Sequence, residues 1–149
     1  MDVICDIDGT VADLTHRRHW VATKPKNWKA FFQNIEQDKP IDPVINTIQA
    51  LHASWCQIIF CSGRGDEHRN VTRTWLSRHI GEWTEDQPLY MRAQGDFRAD
   101  DIVKEELLAK MRVDGYNPTM AFDDRARVCN MWIRNGIFVF DVSQGKGDF

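Results

Sequence analysis

The sequence predicts an α/β protein: a three-layer sandwich built on a five-stranded parallel sheet, with a small insertion after the first strand. Two observations predict this class. Short apolar runs alternate with segments of helical periodicity, and the runs are continuously apolar, which is typical of parallel strands covered on both faces. The chain has 149 residues, of which 42% are hydrophobic, so its size and composition fit one domain over residues 1–149 with a full core.

Five apolar runs give the predicted strands, of which the third is the weakest. They cover residues 2–7, 57–62, 88–92, 119–123 and 137–142. Helical periodicity fills the gaps between them. The first predicted helix begins at Asp42, with Pro43 in its first position, and the second covers 67–80 and is stopped by Gly81. The third begins at Asp101 and ends at Gly115. The fourth contains Val128, Met131 and Trp132.

Residues 9–41 do not fit this alternation and are predicted to form a small cap insertion. We expect it to lie over the carboxyl end of the sheet, after the first strand. Asn27 is expected to cap a short helix within it. Four apolar residues of that helix have i, i+3, i+4, i+7 spacing and are predicted to pack onto the core: Trp28, Phe31, Phe32 and Ile35.

Composition excludes several classes of protein. The net charge of −3 argues against an unspecific nucleic-acid coat, and the apolar content excludes a disordered chain. No apolar run is long enough to span a bilayer, and the start of the chain lacks the pattern of a signal peptide, which predicts a cytoplasmic protein without membrane contact. The four cysteines form no Cys-x-x-Cys pair, so a structural zinc site is not expected.

Carboxylates follow two of the predicted strands. Asp6 and Asp8 end the first strand and, being two apart in extended chain, point the same way; Asp123 and Asp124 end the fourth. The carboxyl ends of parallel strands meet at one edge of the sheet. Two bare carboxylates about 4 Å apart repel by about 4 kcal/mol at an effective dielectric of about 20, so a cation is expected among them. Oxygen ligands without His or Cys favour Mg²⁺.

Phosphate-binding groups are expected at the same edge. Ser62-Gly63-Arg64 places a hydroxyl and a guanidinium in a glycine-containing loop after the second strand, and Lys104 lies near the start of the third helix. Mg²⁺, Arg, Lys and Ser around an aspartate nucleophile are suited to phosphoryl transfer.

Four motifs resemble, in content and order, the signature of the haloacid dehalogenase superfamily of phosphohydrolases. They are DIDGT at 6–10, CSGR at 61–64, Lys104 and FDDR at 122–125. The resemblance implies a Rossmann-like sheet of that superfamily. It implies that Asp6 attacks phosphorus and becomes a phosphoaspartate, and that Asp8 protonates the leaving alcohol and then activates water. The remaining implied roles are phosphoryl binding by Ser62 and Lys104, substrate contact by Thr10 and Gly63, and Mg²⁺ binding by Asp6, the Asp8 carbonyl, Asp123 and Asp124.

The stretch from Arg92 to Lys104, with FDDR, Met131-Trp132 and a Gly-Asp-Phe end, is similar to the 3′-phosphatase domains of bacteriophage polynucleotide kinase-phosphatases. This similarity implies that Arg17, Arg64 and Arg92 bind the phosphate and flanking backbone and that Asp100 orients Arg92. Whether Arg17 or its neighbour Arg18 faces the site stays open. No GxxxxGK[ST] motif is present, so 5′-kinase activity is not expected.

The predicted substrate is therefore a 3′-phosphate on a DNA or RNA end. A chain of this length leaves no room for a large lid, so the site is expected to be open, and Trp20, His19 or Arg18 could stack on a terminal base. Two alternatives remain: a nucleotidase or other small-molecule phosphatase with the same chemistry, and a non-enzymatic receiver-like phosphoacceptor. In receivers the acidic pair ends the first strand and the acceptor aspartate lies on the third, an order that differs from the order here.

Overall fold

The computed structural model describes residues 1–146 and confirms the predicted parallel sheet. The strands are β1 (Asp2–Cys5), β2 (Ala12–Asp13), β3 (Lys39–Pro40), β4 (Gln57–Gly65), β5 (Leu89–Arg92), β6 (Pro118–Asp123) and β7 (Phe138–Asp141). The helices are α1 (His19–Ala22), α2 (Trp28–Gln33), α3 (Asp42–Ala53), α4 (Arg69–His79), α5 (Asp100–Val113) and α6 (Ala126–Arg134). Five strands form one sheet in the order β5-β4-β1-β6-β7, and each neighbouring pair is parallel.

The central strand β1 is buried on both faces, which explains why its sequence is apolar throughout. Val3 belongs to a core cluster that includes residues of α3 and α4, whereas Ile4 belongs to a cluster on the other face with residues of α5 and α6. Alternate side chains of a strand point to opposite faces. The helices therefore cover the sheet on both sides, and the result is the predicted three-layer sandwich.

Helix starts differ from the predictions by one or two residues. The residue before α3 is Ile41, so Asp42 lies inside the first turn rather than capping it. Likewise α5 begins at Asp100, and Ala99 precedes it. Carboxylates in a first turn still stabilise a helix through its macrodipole, which is why they indicated the right regions. The segment predicted over 67–80 is divided into a 3₁₀ turn, Asp66–His68, and α4.

The predicted insertion forms its own small structure. Strands β2 and β3 pair antiparallel, and α1 and α2 lie between them in the chain. The Asn27 side chain caps α2 by accepting a hydrogen bond from the Ala30 amide (3.1 Å), as predicted. Phe31 and Ile35 are buried, but Trp28 is 47% exposed, so the prediction that the whole stripe packs inward is wrong for Trp28. The helix has only six residues, and its first residue lies at the edge of a pocket.

Within residues 1–146, no helix combines the length and the apolar character needed to cross a membrane. The Gly-Asp-Phe end, which contributed to the narrower resemblance, lies outside the described residues.

Candidate active site

A pocket of about 370 Å³ opens at the carboxyl ends of β1, β4 and β6. Parallel strands deliver their following loops to this edge, so residues far apart in the chain meet there. Nine of the predicted site residues line the pocket: Asp6, Asp8, Gly63, Arg64, Arg92, Asp100, Lys104, Asp123 and Asp124. The other three, Thr10, Arg17 and Ser62, are buried beside it.

A buried ammonium joins two carboxylates at the floor of this pocket. Lys104 Nζ donates to Asp6 Oδ1 (2.8 Å) and to Asp123 Oδ2 (3.0 Å), while Thr10 Oγ1 donates to Asp6 Oδ2 (2.8 Å). Burial and the charge of Asp123 raise the pKa of Asp6 well above its ordinary value. Burial opposes the charge of Lys104, but Asp123 and Asp6 outweigh it and raise the pKa of Lys104. Lys104 is therefore held as a cation beside Asp6.

Three carboxylates form an acidic cluster around this floor. Asp6, Asp123 and Asp124 each offer an oxygen, and these oxygens lie within 4.8 Å of one another. Burial, followed by the charge of Asp123, raises the pKa of Asp124 to about 6. Gly9 allows Asp124 to approach the turn that follows β1. The φ of Gly9 is +82°, and a Cβ at this position would lie 2.1 Å from Asp124 Oδ2. A hard divalent cation would relieve the repulsion that this cluster creates.

Asp123 is oriented by donors from its own loop and from α6. The amides of Asp124 and Arg125 donate to its Oδ1 (2.9 and 3.2 Å), and Trp132 Nε1 donates to its Oδ2 (3.1 Å). The sequence predicted Trp132 only as a core residue, which its complete burial confirms. The hydrogen bond from the indole to Asp123 could not be predicted, because helical periodicity indicates that a ring is buried but not which acceptor its N–H contacts.

Two arginines hold the carboxylate of Asp8. Arg64 donates to Asp8 from Nη2 (2.6 Å to Oδ1) and from Nε (3.0 Å to Oδ2), and Arg17 donates from Nη2 (2.8 Å). Burial alone would raise the pKa of Asp8, but Arg64 and Arg17 outweigh it and lower the pKa to about 2. Arg17 rather than Arg18 is thus the inward-facing residue. The structure places it behind Asp8, outside the pocket lining, so it reaches the site through that carboxylate.

Asp38, which the sequence analysis missed, ties the two arginines together. Its fully buried carboxylate accepts from Arg17 Nε and Nη2 (both 2.7 Å) and from Arg64 Nη2 (3.3 Å). His16 Nε2 lies 2.7 Å from Asp38 Oδ1. Asp38 precedes β3 in a polar stretch with no motif, so no pattern in the sequence distinguishes it from a solvated aspartate.

Arg92 joins the end of β4 to the start of α5, because β4 continues through the segment predicted as a loop after residue 62. Its Nε donates to the Gly63 carbonyl (2.7 Å) and its Nη2 to Asp100 Oδ1 (2.6 Å), so the two residues predicted to act together are in contact. Arg125 Nη1 contacts the other oxygen of Asp100 (3.1 Å). A Cβ at Gly63 would lie 2.3 Å from Asp100 Oδ1, so a side chain at position 63 would displace Asp100.

Ser62 lies in β4, directly before Gly63. It is buried, and its Oγ accepts a hydrogen bond from the Arg64 amide (3.0 Å). A serine hydroxyl that accepts in this way keeps its own hydrogen for donation. This hydrogen bond holds the Ser62 Oγ beside the backbone amide of Arg64.

The aromatic residues of the pocket were not predicted. Trp28, Phe31 and Phe32 of α2 line it together with Phe97, which follows β5. Arg18, His19 and Trp20, the residues suggested for base stacking, are not among the described residues that line it.

Comparison with known proteins agrees with this geometry. The family model of the polynucleotide kinase PNKP phosphatase domain matches residues 1–149. A putative bifunctional polynucleotide kinase/RNA ligase of Autographa californica nuclear polyhedrosis virus is 30% identical over 131 residues, which are 87% of this chain and 17% of the viral protein.

Solved structures give the same result. A chain in the structure of a Pnkp1/Rnl/Hen1 complex has a TM-score of 0.80 and 30% identity, covering 99% of this chain and 46% of that one. The class C acid phosphatase of Bacillus anthracis, with tungstate bound, shares the fold with a TM-score of 0.68 at 12% identity over 99% of this chain and 68% of its own. This chain thus spans less than half of the first two relatives.

Three observations indicate the same family. Lys104 contacts a carboxylate after the first strand, an acidic pair ends β6, and the family model matches residues 1–149. They leave no support for a receiver-like phosphoacceptor. The chain belongs to the family of polynucleotide kinase PNKP phosphatase domains and is a phosphatase of the haloacid dehalogenase type.

Proposed function

We propose that this protein is a Mg²⁺-dependent phosphomonoesterase that forms a phosphoaspartate on Asp6 and removes 3′-phosphates from DNA or RNA ends. The observation that carries the proposal is the contact of Asp6 with Lys104 at the floor of an open pocket. A carboxylate beside a buried cation can approach an anionic phosphoryl group, whereas a bare carboxylate would repel it.

Two displacements at phosphorus complete the proposed reaction. An Asp6 oxygen forms a bond to phosphorus while the bond to the ester oxygen breaks, and Asp8 gives its proton to the leaving alcohol. Water then attacks the phosphorus of the phosphoaspartate, Asp8 takes a proton from that water, and the carboxylate of Asp6 leaves with its electron pair. Lys104 and the Ser62 hydroxyl are suited to hold the phosphoryl oxygens through both displacements.

The contacts of Asp8 with Arg64 and Arg17 favour the form that the second step starts from. With a pKa lowered to about 2, Asp8 is ionised at neutral pH, and the same contacts make it a weaker base than an ordinary aspartate. The first step needs the protonated form. A bound phosphate brings negative charge next to Arg64 and competes for its donors, and both effects raise the pKa of Asp8. The substrate itself therefore moves Asp8 towards the state that protonates the leaving group.

The acidic cluster provides the donor set for Mg²⁺. Asp6, Asp123 and Asp124 offer carboxylate oxygens, and the main-chain carbonyl of Asp8 is the proposed fourth ligand. When bound, the ion would neutralise charge at the phosphoryl group.

Thermal melting tests the metal site without relying on turnover. Millimolar Mg²⁺ is expected to raise the melting temperature of the wild-type protein, because it binds the folded cluster and not the unfolded chain. Asp124→Asn should melt at a similar temperature without metal but show a clearly smaller rise with Mg²⁺. Asp86→Asn makes the same chemical change at an exposed position outside the pocket and should respond like the wild type. An equal rise in all three proteins would contradict the site.

The names of the relatives support a nucleic-acid end as the substrate. One is described as a polynucleotide kinase/RNA ligase and another comes from an RNA repair complex. The same chemistry would serve a nucleotidase, so substrate choice separates the two candidates.

A substrate panel tests the proposal. Phosphate release is measured from 3′-phosphorylated DNA and RNA oligonucleotides and from nucleoside 3′- and 5′-monophosphates, with Mg²⁺ and with a chelator. We expect kcat/KM to be highest for the oligonucleotides and activity to vanish with the chelator. A clear preference for mononucleotides would establish the nucleotidase instead, and full activity with the chelator would refute the metal requirement.

Arg92 supplies a further prediction. Arg92→Ala should raise KM for a 3′-phosphorylated oligonucleotide by about tenfold, with a smaller change in kcat. This is the value of one charge-assisted hydrogen bond, since four of the five N–H groups of Arg92 already have protein acceptors. Steady-state kinetics measure both constants. Arg78→Ala, at an exposed position of α4, is the matched control and should behave like the wild type. Normal kinetics in Arg92→Ala would remove this residue from the substrate site.

A further inference from the structure

The pocket in front of Asp6 has an aromatic rim, formed by Trp28 of the insertion and Phe97 of the loop between β5 and α5. Both residues line the same pocket as the acidic floor. Phe97 is 95% exposed and Trp28 is 47% exposed, so packing in the core does not account for either ring. Large exposed apolar groups beside a polar site are typical of ligand contacts.

The loop that carries Phe97 is held rigidly on both sides of the ring. Arg92 Nη1 donates to the carbonyls of Asp96 (3.1 Å) and Arg98 (2.6 Å). Arg98 in turn forms two-pronged contacts with Asp96 and with Glu106 on α5. These contacts fix the backbone on both sides of Phe97, which lowers the entropy lost when a ligand binds there.

The Trp28 ring is supported from behind. It stacks on Phe32 with centroids 6.0 Å apart, and Phe32 stacks on His68 at 4.6 Å. The three rings form a stacked row that begins at the rim. This supported, half-exposed indole offers a flat surface of the kind on which nucleobases stack.

The charge around Trp28 favours a polyanion over a small neutral ligand. Between Asp13 and Glu36 the chain has no acidic residue, although the protein as a whole has a net charge of −3. The basic residues of this stretch are Arg17, Arg18, Lys24, Lys26 and Lys29, and the three lysines are exposed. Lys26 Nζ lies 5.5 Å from the centre of the Trp28 ring. Lysines beside an aromatic ring are the combination with which proteins bind single strands.

We propose that the aromatic rim binds the base of the nucleotide that carries the phosphate, while the lysines of the insertion contact the backbone leading to it. This inference rests on the proposed function and deepens it. The ring contact is sequence-tolerant, since every base has a flat face. It makes the protein prefer ends that carry a base over ends that carry only a sugar.

The test compares two 3′-phosphorylated oligonucleotides that differ only in their last nucleotide, one natural and one abasic. For the wild type we expect kcat/KM to be about tenfold or more higher on the natural end, which matches the strength of one stacking contact. Trp28→Ala and Phe97→Ala should each bring this ratio close to one, mainly through KM. Trp28→Phe, which keeps a flat ring, should retain part of it.

Trp55→Ala is the matched control, because Trp55 is 93% exposed and does not line the pocket. It should leave the ratio unchanged. A wild-type ratio near one, or a ratio unaffected by either rim variant, would overturn this inference while leaving the phosphatase proposal standing. If neither end were dephosphorylated, the proposed function itself would fail.

Discussion

Asp6→Asn is expected to abolish phosphate release while leaving the protein folded and at least as resistant to heat. The amide cannot attack phosphorus, so turnover should fall by on the order of 10⁴-fold or more, as for the loss of other catalytic nucleophiles. The charged carboxylate of Asp6 is disfavoured by burial and by Asp123. A neutral side chain of the same shape removes this cost, and its oxygen can still accept from Lys104.

Two measurements check this result: single-turnover phosphate release and thermal melting without metal. Asp6→Glu is the informative companion, since it keeps the charge but moves the carboxylate along a longer side chain. It should also be inactive if position, and not charge alone, makes Asp6 the nucleophile. Turnover of Asp6→Asn at the wild-type level would refute the phosphoaspartate mechanism.

Asp38→Ala is expected to be the most destabilising of the single substitutions considered. It leaves Arg17 and Arg64 buried with only Asp8 to balance them, and breaking a buried charge network in this way costs about 3–5 kcal/mol of unfolding free energy. For a protein of this size the melting temperature should fall by about 10 °C. Thermal and urea unfolding measure both quantities.

Asp38→Asn separates the charge of this residue from its shape. The amide keeps one acceptor oxygen but not the negative charge, so we expect stability between those of Asp38→Ala and the wild type. Activity should fall in kcat more than in KM, because Asp38 no longer holds the Arg17 guanidinium against Asp8 as firmly, and Arg17 lies outside the pocket lining. If Asp38→Ala melted like the wild type, the buried network would have no structural importance.

The sequence allowed prediction of those parts of the site that follow from sheet topology. Asp6, Asp8 and Asp123 follow buried parallel strands, and such strands bring their ends to one edge whatever the rest of the chain does. Lys104 was found through its place in the family motif. Its buried contacts with two of these carboxylates agree with the position that the motif gave it.

The parts that could not be predicted come from tertiary contacts of irregular segments. Asp38 meets the two arginines because the insertion folds back along β2 and β3, and nothing local records that approach. Helical periodicity suggested that Trp28 is buried, but α2 is too short for its first residue to be covered. Phe97 lies in a loop whose shape is fixed by arginine contacts, and periodicity says nothing about such a loop.

The contact between Asp6 and Lys104 joins residues 98 positions apart in the chain. Such a pairing forms only after the strands between them have found their order, because closing so long a loop is costly before neighbouring contacts exist. Recovered enzymatic turnover after dilution from denaturant is therefore a stringent indicator of refolding. Helical circular dichroism would recover before enzymatic activity does. The delay between these two signals would measure the time needed to assemble the sheet.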